Sequence, residues 1–205
     1  MRGELSFSRR GAWYIIRKVG MYRMVKMKNP FKAFDDYFLD RINKKLKNKY
    51  CDFFFYNYTN IAGPGFLVAL SVFMLIFGKR WIGSAATEMV VALVISTGVA
   101  QILKRAISRS RPYWVSKNLN TYGIDLRDYS FPSGHTTAAF TVATTFSLYF
   151  PKLAPLFVVM ALLVAVSRTY LAVHYPTDVL AGVIIGMIVG YVVHMYVYDN
   201  LAYWL

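Results

Sequence analysis

Three short segments of this 205-residue chain gather the side chains that could do chemistry: Lys104 and Arg111 in "KRAISRSRPYW", Ser133, Gly134 and His135 in "FPSGHTT", and Arg168, His174 and Asp178 in "SRTYLAVHYPTD". Lys104 and Arg111 lie about two helical turns apart, and Pro112 ends the helix just after Arg111, so both cations can reach one polyanion. Ser133 is expected to cap a helix that starts near His135, and Gly134 lets backbone N–H groups approach a ligand closely; the turn predicts an anion site at a helix N-terminus. His135 sits at its rim, where a histidine can donate a proton to a leaving oxygen. An arginine at membrane depth is costly, so Arg168 is expected to face a polar cavity and an anionic partner rather than lipid. His174 follows six residues later. Pro176 suits the first turn of the next helix, and Asp178 falls in that turn, close enough to fix the tautomer of the His174 ring and leave its other nitrogen free to attack. Taken singly, each segment has an ordinary reading: positive residues at a helix end, a loop-to-helix junction, a snorkelling arginine, a helix cap.

The elements that must position these groups are apolar. Hydrophobic residues make up 57% of the chain and the mean hydropathy is positive, outside the usual soluble range. Five segments, 61–77, 85–103, 135–150, 154–173 and 177–198, approach the roughly 17 to 25 residues that cross a bilayer as a helix, the third being short. Trp81, Tyr113, Trp114, Tyr149, Phe150, Tyr203 and Trp204 fall near their ends, as headgroup-seeking aromatics do. The expected fold is all-α, a multi-pass transmembrane helix bundle of about five spans preceded by an N-terminal interfacial amphipathic helix.

The net charge is +14, and the first sixty residues hold 14 Lys or Arg against 5 Asp or Glu. In residues 1–30, aromatics and methionines interleave with the charges ("RRGAWYIIRKVGMYRMVKMK"), which predicts a basic arm lying on an anionic membrane surface rather than binding nucleic acid. No uninterrupted apolar run follows to make it a targeting peptide. Residues 31–205 read as one membrane-embedded domain. At its start, Phe34, Phe38, Leu39, Ile42 and Leu46 recur at helical spacing on one side, as expected of an interfacial helix before the first span. Arg105 and Arg109 read as ordinary positive residues at a helix end, Glu88 as an acid paired locally with Lys79 or Arg80, and His194 as a packed histidine. Cys51 is the sole cysteine, so neither an intrachain disulfide nor a cysteine metal cluster can form.

In order and spacing, the three segments together resemble the signature of the type 2 phosphatidic acid phosphatase family, which includes bacterial lipid phosphatases and vanadium-dependent haloperoxidases. The resemblance covers roughly residues 30 to 198. It implies that Lys104, Arg111 and Arg168 hold phosphate oxygens, with Ser133 and the Gly134 amide completing the cradle. It implies further that His174 is a nucleophile forming a phosphohistidine, that His135 protonates the leaving group, and that Asp178 orients His174. Ser167 is expected to pack only. Fixed cations and a helix N-terminus would supply the electrostatic stabilisation, so no metal and no cofactor is expected. The implied partners are the lipid bilayer and a lipid phosphate substrate, with no nucleic acid; the oligomeric state is left open. Polyprenyl (undecaprenyl) diphosphate leads as substrate, with phosphatidic acid or phosphatidylglycerol phosphate as alternatives. A membrane protein that only binds anionic lipid is the non-enzymatic reading, and it would need the cations alone. Charge counting places the site in the cytoplasm, whereas bacterial members of the family generally face outward; an outward-facing site is the expectation carried forward.

Overall fold

Helix boundaries follow local chemistry throughout the computed structural model, which describes residues 31–116 and 118–201. The basic arm, residues 1–30, lies outside the described residues, as do Tyr203, Trp204 and the side chains of Lys79, Arg80 and Trp81. Helix α1 (Lys32–Asp40) runs into a π-helical turn, Arg41–Lys45. Helix α2 (Lys49–Tyr58) starts afresh because the Asn48 side chain accepts hydrogen bonds from the Tyr50 and Cys51 N–H groups, at 3.0 and 2.9 Å. That cap divides the expected single interfacial helix in two.

The apolar side expected of this stretch is divided between surface and interior. Phe34, Phe38 and Leu46 are exposed, while Asp35, Leu39 and Asn43 are buried. The inner side is the polar one because Asp35 finds cationic and N–H partners there, and the aromatic side is left to the surroundings.

A 3-10 turn, Thr59–Ala62, leads to α3 (Pro64–Phe77), which bends by 51° from the segment before it. Then come α4 (Lys79–Ile107), the single-turn α5 (Pro112–Val115), a loop, α6 (Gly134–Tyr149), α7 (Ala154–Tyr170) and α8 (Pro176–Leu201). Among the described residues there is no strand. By length and composition three segments there can cross a membrane, Ile82–Val115, Pro151–Tyr170 and Pro176–Tyr196, or four if the bent pair Lys49–Ala62 and Pro64–Phe77 counts as one.

The expected third span is α6, whose 16 residues make it shorter than a hydrocarbon core of ~30 Å. Its position explains its composition. It is the central helix, packed against α4, α7 and α8, and it buries Thr136, Thr137, Thr141 and Thr145. The Thr137 and Thr141 hydroxyls donate back to the carbonyls of Ser133 (3.0 Å) and Thr137 (2.8 Å), which lets a polar helix lie in an apolar bundle.

Three glycines at helical spacing bring α8 against α6. A Cβ at Gly182 would lie 2.9 Å from the Ser133 carbonyl oxygen, one at Gly186 2.5 Å from that of Thr137, and one at Gly190 2.9 Å from Thr144 Cβ. Only a hydrogen fits there. This contact sets the N-termini of α6 and α8 side by side, where the Ser133 N–H donates to the Asp178 carbonyl at 3.0 Å. Gly186→Ala is therefore expected to destabilise the protein by ~1–3 kcal/mol through overpacking. Gly98→Ala in α4, where a Cβ meets nothing within 4 Å, should be neutral or slightly stabilising. Thermal melting of the two variants in detergent checks the contrast.

Candidate active site

Lys104 stands in the last turn of α4. The helix ends at Ile107, not at Pro112 as the proline suggested, because Ser108 adopts a left-handed conformation (φ 48°) and returns its N–H to the Lys104 carbonyl at 3.0 Å. Arg111 is extended (φ −74°, ψ 153°), the conformation favoured before a proline. Its side chain is buried and distributes its donors fully. Nε donates to the Asp128 carbonyl (2.8 Å), Nη1 to the Val173 carbonyl (2.7 Å), and Nη2 to Asp128 Oδ1 (2.6 Å) and the Tyr129 carbonyl (3.3 Å); Nη1 also lies 3.3 Å from His174 Nε2. Lys104 Nζ donates to Asp128 Oδ2 at 2.5 Å and to the Tyr129 carbonyl at 3.0 Å. Asp128, which sequence reasoning missed, thus bridges two of the expected phosphate-holding cations. Burial opposes its charge, but the hydrogen bond from Lys104 and the charges of Arg111 and Lys104 outweigh it and hold the carboxyl at about 2.

Arg168 faces inward from the last turn of α7, as expected of a cation that avoids lipid. Its Nη1 donates to Thr59 Oγ1 at 2.9 Å, a partner with no sequence signal. Its Nε is buried without a hydrogen-bond partner among the described residues. An unpaired buried donor on a charged group is costly and calls for an explanation.

The chain then turns sharply. The Arg168 carbonyl accepts the N–H groups of Val173 (3.2 Å) and His174 (3.3 Å), and Ala172 sits at φ 52°. His174 is buried, with Nδ1 2.7 Å from the Ser130 carbonyl. A carbonyl can only accept, so Nδ1 carries the hydrogen and Nε2 keeps its lone pair. Burial, followed by the charges of Arg111, Arg168 and Lys104, pushes the ring well below the usual histidine range, so it is neutral.

Asp178 does not bond the ring directly: Oδ2 is 3.8 Å from His174 Nδ1. It receives the Ser130 hydroxyl, the Tyr175 N–H at 2.9 Å and Arg109 Nη1 at 2.5 Å. The direct orienting bond therefore comes from Ser130, and Asp178 holds Ser130. Arg109 also departs from expectation. It is not a solvated helix-end charge but lies between Asp178 and Asp35, with its guanidinium 4.1 Å from the Tyr175 ring centroid.

Ser133 precedes α6 as expected, yet its hydroxyl pairs with Thr136 Oγ1 at 2.9 Å instead of capping a backbone N–H. A Cβ on Gly134 would meet nothing within 4 Å, so the start of α6 is open. His135 borders the turn into α3: a Cβ on Gly63 would lie 3.7 Å from its Nε2. The structure thus brings Lys104, Arg111, Arg168, His174 and Asp178 into one connected cluster, with Ser133, Gly134 and His135 at the adjoining end of α6. Ser167 bonds its own helix through Val164, at 2.6 Å.

Glu88 and His194 meet away from this cluster. Glu88 is fully buried and takes the Tyr149 hydroxyl at 2.8 Å and His194 Nδ1 at 3.1 Å. These described partners come from α6 and α8; the side chains of Lys79 and Arg80, the partners expected for Glu88, lie outside the described residues.

Over 110 residues the chain is 34% identical to the lipid A 1-phosphatase of Rhizobium etli, a match covering 50% of this chain and 44% of that protein. It is 32% identical over 144 residues to the undecaprenyl-diphosphatase of Sulfolobus acidocaldarius, covering 62% and 67% respectively. The chain thus spans about half the length of the first of these relatives. The crystal structure of Aquifex aeolicus LpxE superposes with a TM-score of 0.72 at 28% identity, covering 80% of this chain and 96% of that one. The sequence profile of the PAP2 superfamily matches residues 85–202, more than half of the chain and the whole stretch from Lys104 to Asp178. The chain belongs to the PAP2 superfamily.

Proposed function

We propose that this protein is a metal-independent lipid phosphate or diphosphate phosphohydrolase that works through a phosphohistidine, with polyprenyl diphosphate as leading substrate. The observation that carries the reading is His174, a neutral ring with its Nε2 lone pair held among three buried cations. A protein that only binds anionic lipid needs the cations and has no use for a fixed nucleophilic nitrogen.

In this reading Arg168, through its unpartnered Nε, takes a phosphate oxygen together with Lys104 and Arg111. The two cations bridged by Asp128 hand part of that pairing over to the phosphate. Ser133 and the Gly134 amide, at the open start of α6, complete the cradle. His174 Nε2 attacks phosphorus and the bond to the lipid oxygen or leaving phosphate breaks; His135 supplies that leaving oxygen with a proton. Water then attacks the phosphorus, giving a proton to the His135 ring that the first step deprotonated; the P–N bond breaks, and inorganic phosphate leaves with the His174 ring neutral again. Between the steps the ring carries a positive charge, and the Asp178 carboxylate, 3.8 Å from Nδ1, stabilises it.

Lipid phosphates are supported as a class by the relatives' names, and the polyprenyl choice by the longer match to the Sulfolobus protein. Phosphatidic acid and phosphatidylglycerol phosphate are the alternatives in a substrate panel. We place the site on the outer side of the cell membrane. Lys104, Arg109 and Arg111 are engaged in the cluster, so they do not count as loop charges that hold a segment in the cytoplasm. An Asn118→Cys variant made in a Cys51→Ser background should react with a membrane-impermeant maleimide in intact cells. Labelling that requires permeabilisation would reverse the orientation.

His174→Ala should reduce phosphate release to background, since both steps pass through that ring, while His135→Ala should slow poor leaving groups most. Turnover by the His174 variant would end the covalent reading. Activity should survive EDTA, because Asp128 and Asp178 are already engaged and leave no set of free oxygen ligands for Mg²⁺ among the described residues; loss restored by Mg²⁺ contradicts this. Orthovanadate should inhibit as an imitation of the transferring phosphoryl group. Asp128→Asn should tighten that inhibition about tenfold, or ~1.4 kcal/mol, by removing a competing anion from Lys104 and Arg111. Weaker inhibition would make Asp128 a support for the cations instead.

A further inference from the structure

The catalytic reading uses Asp178 and Ser130 but leaves open what holds them. Ser130 is held at three atoms: its N–H donates to the Arg109 carbonyl at 2.8 Å, its hydroxyl to Asp178 Oδ2, and its carbonyl accepts His174 Nδ1 at 2.7 Å. Arg109 reaches two of these contacts, through its backbone and through Nη1 on Asp178 Oδ1 at 2.5 Å. Its Nη2 is fixed in turn by Asp35 Oδ2 at 2.6 Å. Asp35 is fully buried, 74 residues upstream of Arg109 on α1. It also accepts the Thr177 N–H at 3.0 Å and the Thr177 hydroxyl at 2.9 Å, so it satisfies a backbone donor in the first turn of α8.

We propose that Asp35 and Arg109 are positioning residues of the reaction, setting the His174 ring through Asp178 and Ser130. The inference rests on the hydrolase reading above, but not on its substrate. Arg109 meets Oδ1 of Asp178, whereas the oxygen 3.8 Å from the ring is Oδ2, and Asp35 meets Arg109 in turn. Arginine suits the role because one planar fork spans two carboxylates, which an ammonium cannot do with the same geometry. The proposal also gives α1 a catalytic task. The helix that turns Phe34, Tyr37 and Phe38 outward holds, by its opposite face, the base of the nucleophile.

The test uses the full chain in detergent. Asp35→Asn keeps an acceptor for the Thr177 N–H, since asparagine caps as well as aspartate, but removes the charge that fixes Arg109. Arg109→Lys keeps the charge but not the fork, and carries the test should the first variant be unstable. Each should lower kcat by roughly 10- to 100-fold, the usual effect of losing an orienting partner, while KM and vanadate affinity change less than about twofold. The chain has three histidines, so ¹⁵N-histidine spectra can follow the His174 ring directly, with a His174→Gln sample for assignment. The wild type should show a single Nδ1–H tautomer for His174 and the variants a mixture. Wild-type kcat with an unchanged ring spectrum in both variants would overturn the proposal. So would losses of kcat, vanadate affinity and melting temperature in step, which would make the pair merely structural. Because the ring spectrum needs no substrate, it decides the positioning role even where the hydrolase reading fails.

Discussion

Three cations, Lys104, Arg111 and Arg168, are almost completely buried together at one end of an apolar helix bundle. Removing each from water costs several kcal/mol unless partners replace the lost hydration, and their mutual repulsion adds to that. Most of the irregular structure in the protein answers this demand. The loop before α6 presents the Asp128 and Tyr129 carbonyls and the Asp128 carboxylate to Lys104 and Arg111, and the turn after α7 presents the Val173 carbonyl. The loop is fastened elsewhere so that it can do so. Asn43 exchanges two hydrogen bonds with the Asn120 backbone, Tyr113 bonds the Leu126 backbone in both directions, and Tyr122 donates to Asp52 at 2.5 Å. The N-terminal helices and the loop are thus shaped around the charges. Of these three cations only Arg168 keeps a buried nitrogen, Nε, without a hydrogen-bond partner among the described residues, and the proposed reading gives that atom to a phosphate oxygen.

The residues legible in the sequence are those whose type has few other uses in an apolar chain. An arginine near the end of a span, a histidine beyond it and a glycine at a helix start each narrow the possibilities, and their joint spacing narrows them further. Ser130 escaped notice because its orienting bond comes from a backbone carbonyl, which every residue possesses. Asp128 looked like any acid in a polar loop, and Thr59 like any turn residue. Arg109 was misread because it stands in a run of cations, and its distinguishing partner, Asp35, is remote in sequence. Periodicity set Phe34, Phe38, Leu39, Ile42 and Leu46 on one side of this stretch, but Leu39 is buried while Phe34, Phe38 and Leu46 are exposed, and the buried Asp35 and Asn43 carried no periodic signal. In a soluble protein the apolar side of a helix turns inward; beside a bilayer either side can, and buried polar partners decide.

The ordinary and the chemical readings of Asp178 also turn out to describe one arrangement. With Pro176 opening α8, Asp178 lies in the first turn and its carboxylate reaches back to the Tyr175 N–H, as a capping box does. That bond and the Ser130 hydroxyl fix the carboxylate beside His174 without its bonding the ring. A cap is a good mount for such a group, because helix geometry fixes its distance from the preceding residue.

The nucleophile candidate itself lies on no helix, yet it is rigidly held. Tyr170, Leu171 and Val173 around it form a buried cluster packed against Ile42, Cys51 and Phe55 of the N-terminal segment and against Tyr113, Tyr122, Ile124 and Leu126. Backbone bonds to Arg168 fix the turn, and Ser130 fixes the ring. Loops carry chemistry well when a scaffold determines their position. Here the scaffold is made of helix ends: the last turns of α4 and α7, the first turns of α6 and α8, and the inner face of α1. The glycine contact that brings α8 against α6 therefore bears on the site as much as on the bundle, since it fixes the distance between the two helix starts that lie side by side at the cluster.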